Sequence, residues 1–335
     1  MQARPTPSGG DARIPLPVTV MRTSRVNAML LASLVATLVV LATGPVAAQA
    51  APVVDDSWAT VQQALGGRGG MQPGGVLKFG FPRTDLQVIA DGVTLKPALA
   101  LGSWIAFKRT RTGAADVMVM GDLVLTENEV GPAMLALQRG GVAQTALHNH
   151  VLHESPRIMY MHVAAHGDAA RIAATIRTAL NATGTPVPSG PSTTPAPAAA
   201  MPIGIDTAAI AHALGNAGKV NSGVYQVSVP RRARIMEHGM EIPPSMGVAT
   251  AINFQPTGEG KAAITGDFVM TADEVNPVIR ALREHDIEVT ALHSHMLGES
   301  PRLFFMHFWA KGDAAMLATG LRAALDRTAV HTSAR

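Results

Sequence analysis

Six histidines recur at matched positions in two stretches of the chain: His148, His150 and His162 in the first, His293, His295 and His307 in the second. Imidazole is a ligand for Zn, Cu, Fe and Ni. Three protein ligands around one open position is the pattern of a catalytic or exchangeable metal site. Glu154 and Glu299 fall between the histidines, where a carboxylate can act as a fourth ligand, as a partner orienting a ligand or as a general base. Met159, Met161, Met296 and Met306 flank the same histidines; thioethers suit a soft ion such as Cu(I) but also fill cores. Zn and Cu are therefore the expected metals. The competing expectation is a buried, hydrogen-bonded histidine cluster, or a pocket for a ligand that is not a metal. The other six histidines, His153, His166, His212, His238, His285 and His331, have no counterpart in the opposite stretch. Retention is thus confined to the two clusters.

Strands must position these side chains. Residues two apart on a strand share a face, so His293 and His295 point together, as do Leu303, Phe305 and His307. Thr290–Leu297 and Leu303–Trp309 read as the two strands of a hairpin, with residues 298–302 as its loop. If Leu297 sits opposite Leu303, His293 falls opposite His307 with His295 beside them, and cross-strand Cβ atoms approach to about 5 Å. A slip of one residue sends His307 to the other face. The expectation is one three-histidine site inside each stretch. Ser155-Pro156-Arg157 and Ser300-Pro301-Arg302 shape the loops, and Arg157 and Arg302 can pair with Glu154 and Glu299 or hold an anionic ligand. Asp122 and Asp267 are expected to end a strand, with a role behind the histidines as the alternative.

The stretches belong to a larger duplication. Residues 121–181 and 266–326 align without a gap at an offset of 145, and VLKFGFPR at 76–83 matches VYQVSVPR at 224–231. Between the copies, residues 182–202 are rich in Pro, Ala and Thr, the composition of an extended linker. The expected domains are 52–181 and 203–328. Each copy opens with a short helix and several strand-like runs. Thr126-x-x-Glu129 and Thr271-x-x-Glu274 then fit a capping box, followed by apolar residues at helical spacing. Two more strands and a helix capped by Asp313, or its counterpart, close the pattern. This order predicts an α+β fold, a tandem duplicated domain in which each copy is a largely antiparallel sheet with helices packed on one face. The copies can pack on each other as an internal pseudo-dimer.

The first 50 residues look like an address. Arg22 and Arg25 precede the apolar run 28–42, then Gly44-Pro45 and a small-residue site ending at Ala50, which together describe a secretory signal cleaved near Ala50. The run is shorter than the roughly 20 residues of a membrane span, so no stable anchor is expected after cleavage, and the mature chain is expected to be secreted or periplasmic. Of 27 basic and 24 acidic residues, four and one lie in that segment. The remaining body carries 23 of each and has no cationic cluster, which argues against nucleic acid as a partner. With no cysteine, stability must come from packing. The expected partner is a small ligand or a cell-envelope component.

TALHNH and TALHSH, each followed by ESPR and MH and preceded by GD-x-V/L-x-T, resemble the LppY/LpqO family of exported bacterial proteins of unknown function. The resemblance covers both copies. It implies secretion and this domain, and no established activity; the lipobox Cys of its lipoprotein members has no equivalent here. A weaker similarity is to the first cupin motif, H-x-H-x3-E, which His148, His150 and Glu154 and then His293, His295 and Glu299 fit. Met161 and Met306 stand where a cupin has glycine, and His162 and His307 follow too soon for its second motif. Three functions remain open: metal binding, sequestration or sensing; a metal-dependent hydrolase or oxygenase with Glu154 or Glu299 as base; and a cell-envelope ligand- or partner-binding module without metal.

Overall fold

The duplicated pattern is laid down as two copies of one α+β unit in the computed structural model, which describes residues 58–67, 69–110, 116–188 and 203–331. The signal-like segment, most of the linker and the last four residues lie outside them. In the first repeat, helix α1 (Ala59–Leu65) leads into strands β1 (Gly70–Gln72), β2 (Val76–Pro82), β3 (Ile89–Ala90), β4 (Val93–Thr94), β5 (Gly102–Arg109) and β6 (Asp116–Thr126). Then come α2 (Glu127–Arg139), β7 (Ala143–His148), β8 (Glu154–Ser155), β9 (Ile158–Asp168) and α3 (Ala169–Asn181). The second repeat follows the same plan. It begins with α4 (Thr207–Leu214), β10 (Lys219–Asn221), β11 (Val224–Pro230), β12 (Ile235–Glu237), β13 (Met240–Ile242), β14 (Ala249–Gly258) and β15 (Lys261–Met270). It ends with α5 (Ala272–Arg283), β16 (Glu288–His293), β17 (Phe304–Asp313) and α6 (Ala314–Leu325).

Each repeat builds a six-stranded antiparallel sheet, β1-β2-β5-β6-β9-β7 in one and β10-β11-β14-β15-β17-β16 in the other. The helices start where the sequence says they should. Glu129 and Glu274 reach back to the amides of Thr126 and Thr271, each at 2.8 Å, completing the two capping boxes. Asp168 and Asp313 cap α3 and α6 through their side chains. One face of each sheet is buried under its own helices, with Leu123, Leu137, Ile172 and Ile176 in one core and Phe268, Leu282, Leu317 and Leu321 in the other.

The opposite faces meet each other. Met118 and Met120 of β6 share one apolar cluster with Val269, Met296 and Phe305, while Val124 and Tyr160 share another with Val224 and Trp309. The layers therefore run helix, sheet, sheet, helix. This explains why β6 is buried along nearly its whole length instead of alternating, as a sheet covered on both faces must be. Polar groups between the sheets are matched across the repeats: Gln255, which is buried, accepts from Lys96 N at 2.8 Å and donates to Thr94 O at 2.8 Å. The described residues belong to one compact unit.

The described start of the expected linker is not loose chain. Gly184 N donates to Glu129 Oε1 at 2.6 Å, Thr185 is buried, and Val187 packs on the first core.

Candidate metal centre

The third histidine of each repeat sits on a central strand opposite an aspartate, His162 opposite Asp122 on β6 and His307 opposite Asp267 on β15. The hairpin register differs from the expected one by two residues. Ala291 lies opposite His307 and His293 opposite Phe305, with an irregularity between Val289 and Ala291; β7 and β9 repeat this with Ala146 opposite His162. A two-residue offset preserves side-chain parity, so the histidines still share a face. That face is the one turned toward the other repeat.

The consequence is one joint cluster instead of two separate ones. His148 and His293 stack at 3.6 Å between ring centroids. His150 stacks on His307 and His162 on His295, each at 3.8 Å. Two groups bring ligand nitrogens within 4.8 Å of one another: His148, His293 and His307, and His162, His293 and His295. Both mix the repeats. The edge strands are stitched reciprocally, Thr145 Oγ1 donating to His295 O at 2.6 Å and Thr290 Oγ1 to His150 O at 2.5 Å.

The ring tautomers favour a metal. Nδ1 of His148, His295 and His307 contacts the carbonyls of Asn149 (2.9 Å), Gly247 (3.1 Å) and Gly266 (2.7 Å). A carbonyl only accepts, so Nδ1 carries the hydrogen; Nε2 of His148 and His307 then keeps its lone pair, while Nε2 of His295 faces Asp267 Oδ2. Backbone partners of this kind also orient imidazole ligands. Nε2 of His148, His150, His162, His293 and His307 is buried without a hydrogen-bond partner, as are Asp122 Oδ1 and Asp267 Oδ1, whereas Nε2 of His295 meets Asp267 Oδ2. Burial is the main cause that lowers His148 to about 3 and holds His150, His162 and His293 well below the ordinary imidazole value. Neutral imidazoles with free lone pairs are the form that binds a metal.

Sequence reasoning placed the aspartates at strand ends and left Tyr160 out. Asp122 Oδ2 lies 3.6 Å from His150 Nε2, and Asp267 Oδ2 lies 3.0 Å from His295 Nε2. Burial, then the nearby Asp267, pushes Asp122 up to about 8. The recurrent Gly-Asp pair was the available sign. Tyr160 stacks on His150 at 3.3 Å where Phe305 stacks on His295 at 3.5 Å, and its buried hydroxyl has no partner. The tyrosine is two residues before His162, on the same strand face.

Glu154 and Glu299 do not sit alike. Glu299 accepts from Leu303 N at 2.8 Å and from Arg302 Nη1 at 3.1 Å. Glu154 accepts from Ile158 N at 3.1 Å, while its Oε2 is buried without a partner, and burial raises it to about 7. Arg157 is exposed and lies 3.9 Å from Glu127 instead. Arg302 is tied to Met296 O, Ser294 and Glu299.

A family model described as Domain of Unknown Function (DUF1259) matches residues 59–182 and again 208–327. None of the curated proteins matches the chain. Among solved structures, a trimeric bacterial microcompartment shell protein, PduB, is similar at 12% identity and a TM-score of 0.20, over 77% of this chain and 89% of that one. EtuB from Clostridium kluyveri is similar at 10% identity and a TM-score of 0.18, over 77% and 90%. At such scores neither carries an inference.

Proposed function

Since the chain belongs to the DUF1259 family twice over, we propose that its two repeats together form a transition-metal centre, for binding, sequestration or sensing outside the cytoplasm. The observation that carries this is the set of five buried Nε2 atoms without partners, those of His148, His150, His162, His293 and His307. An unsatisfied buried polar group costs about 1–3 kcal/mol, so five approach the whole net stability of a domain, about 5–15 kcal/mol. A bound cation removes that cost, and among the described residues no hydrogen-bond donor does. Zn and Cu match the donor set, with Asp122 and Asp267 beside the histidines. Export rests on the signal-like segment and the LppY/LpqO resemblance; among the described residues, no helix is long and apolar enough to cross a membrane.

The test is metal content by mass spectrometry on residues 51–335 purified without a histidine tag, beside a variant with His148, His150, His293 and His295 all changed to Ala. Stoichiometric metal in the parent and none in the variant is the expected result. No metal in either, after incubation with Zn, Cu, Fe and Ni, overturns the proposal and leaves a metal-free ligand or partner site.

A second reading, metal-dependent hydrolysis or oxygenation, draws on Glu154 alone. A carboxylate near pH 7 with a free oxygen suits a general base, whereas Glu299 is held by Arg302. Glu154→Gln should then abolish turnover while leaving bound metal unchanged.

A further inference from the structure

Away from the histidines, one internal comparison points to a second site. Arg83 and Arg231 are the same position of the two repeats, and both are buried. Their Nη atoms are engaged alike. Arg83 Nη1 donates to Val124 O at 2.6 Å and Glu129 Oε2 at 2.8 Å, and Nη2 to Glu129 Oε1 at 3.1 Å. Arg231 Nη1 donates to Val269 O at 2.8 Å and Glu274 Oε2 at 2.6 Å, and Nη2 to Glu274 Oε1 at 3.1 Å.

The other edge of the guanidinium differs. In the first repeat Asp85 takes it with both oxygens, Oδ1 on Nε at 2.9 Å and Oδ2 on Nη2 at 2.8 Å. In the second repeat FPRTDL has become VPRRAR, and Ala233 stands where Asp85 stood. Arg231 Nε is left buried with no partner. Arg231 also lines a pocket of about 270 Å³, together with Arg232, Arg234, Glu241, Ile242, Val248 and His331.

We propose that this pocket binds a small organic carboxylate, whose two oxygens take the Nε and Nη2 edge of Arg231 as Asp85 takes that of Arg83. A planar carboxylate matches the guanidinium fork with two parallel bonds, and the first repeat displays the bound geometry within the same chain. Charge agrees. Glu274 already balances Arg231, Glu241 faces Arg234 at 2.6 Å, and Arg232 remains as the excess cation at the rim. Ile242 and Val248 supply an apolar wall for a short carbon chain. The volume is below that of drug-sized sites, which selects an acid of a few carbons. No residue of the histidine centre takes part, so the proposal stands apart from the metal reading.

The test uses residues 51–335 in buffer free of carboxylate and phosphate, by titration calorimetry and thermal unfolding with acetate, succinate and citrate. Inorganic phosphate serves as the tetrahedral contrast. At least one carboxylate should bind and raise Tm on the order of 5 °C at about a hundred times its Kd. Ala233→Asp should abolish that binding and raise the ligand-free Tm, because the carboxylate is then supplied by the chain. Arg234→Ala, at an exposed position, should weaken binding about tenfold with little change in the ligand-free Tm. Absence of binding by all three acids, binding that survives Ala233→Asp, or binding of phosphate alone overturns the proposal.

Discussion

The rings of His148 and His293, one residue seen in two repeats, lie face to face at 3.6 Å and 23° from parallel. The remaining pairs are crossed, His150 on His307 and His162 on His295. Ligands are therefore shared, and a substitution in one repeat should be felt in the other. His162→Ala, in the first repeat, should empty the group that holds His293 and His295 of the second. His293→Ala, common to both groups, should cost the most metal of any single change. Metal per chain by mass spectrometry decides it, and loss confined to the mutated repeat's own histidines would contradict the shared centre.

Acid should unfold the metal-free chain through these same residues. Burial holds His148 at about 3, and His150, His162 and His293 well below the ordinary imidazole value, against about 6.5 when unfolded. The unfolded state therefore binds more protons below pH 6.5, and stability falls as pH falls. Each such histidine contributes up to about 1.4 kcal/mol per pH unit. Asp122 and Glu154, raised by burial to about 8 and about 7, and Glu237, raised by burial as well, work in the opposite sense, three groups against the four histidines. Urea midpoints should drop from pH 7 to pH 5; a flat or rising midpoint would count against neutral buried imidazoles.

Tyr160→Phe converts the first repeat to the second repeat's arrangement. The hydroxyl is buried without a partner, so its removal should stabilise the metal-free chain by up to about 1 kcal/mol. If the hydroxyl meets a bound species, the same variant should lose stability only when metal is present. Urea titrations with and without metal separate the two.

Gly266→Ala tests the close approach of β14 and β15. A Cβ at Gly266 would run into the backbone carbonyl of Ala251, which cannot swing aside as a side chain would. The expected loss is about 2–4 kcal/mol, read from urea midpoints. Gly298→Ala, which meets nothing within 4 Å, should be near neutral.

Asp85→Ala leaves Arg83 with the same bare edge as Arg231. The lost charge-assisted bonds predict a decrease of about 1–2 kcal/mol, tempered because Asp85 is 27% exposed. Restoration of Tm by added acetate would mark the vacated fork as accessible.

The repeat, both capping boxes and the face shared by the histidines were all legible as local pattern. What was not legible is which histidines meet. Strand parity tells which side His307 points to; what stands across from it depends on how two sheets pack. The register missed by two because β16 ends at His293 and the connection to β17 runs over residues 294–303, with no compositional mark to set those ends. The reach of Thr290 to His150 O across 140 residues is likewise invisible to any short window. Asp122 was legible as a neighbour of the histidines only as the alternative to a strand end, since its place beside His150 arises once β6, β9 and β7 pair.

Joining the two copies in one chain has a further consequence. In a dimer of identical subunits every substitution appears twice, so each half must tolerate what the other needs. Fusion removes that obligation. Tyr160 against Phe305, Glu154 with one oxygen unpartnered against Glu299 held by Arg302, and Asp85 against Ala233 are three places where the halves have diverged while the six histidines stayed matched. A covalently joined pair can specialise one flank of a shared centre and leave the other as scaffold.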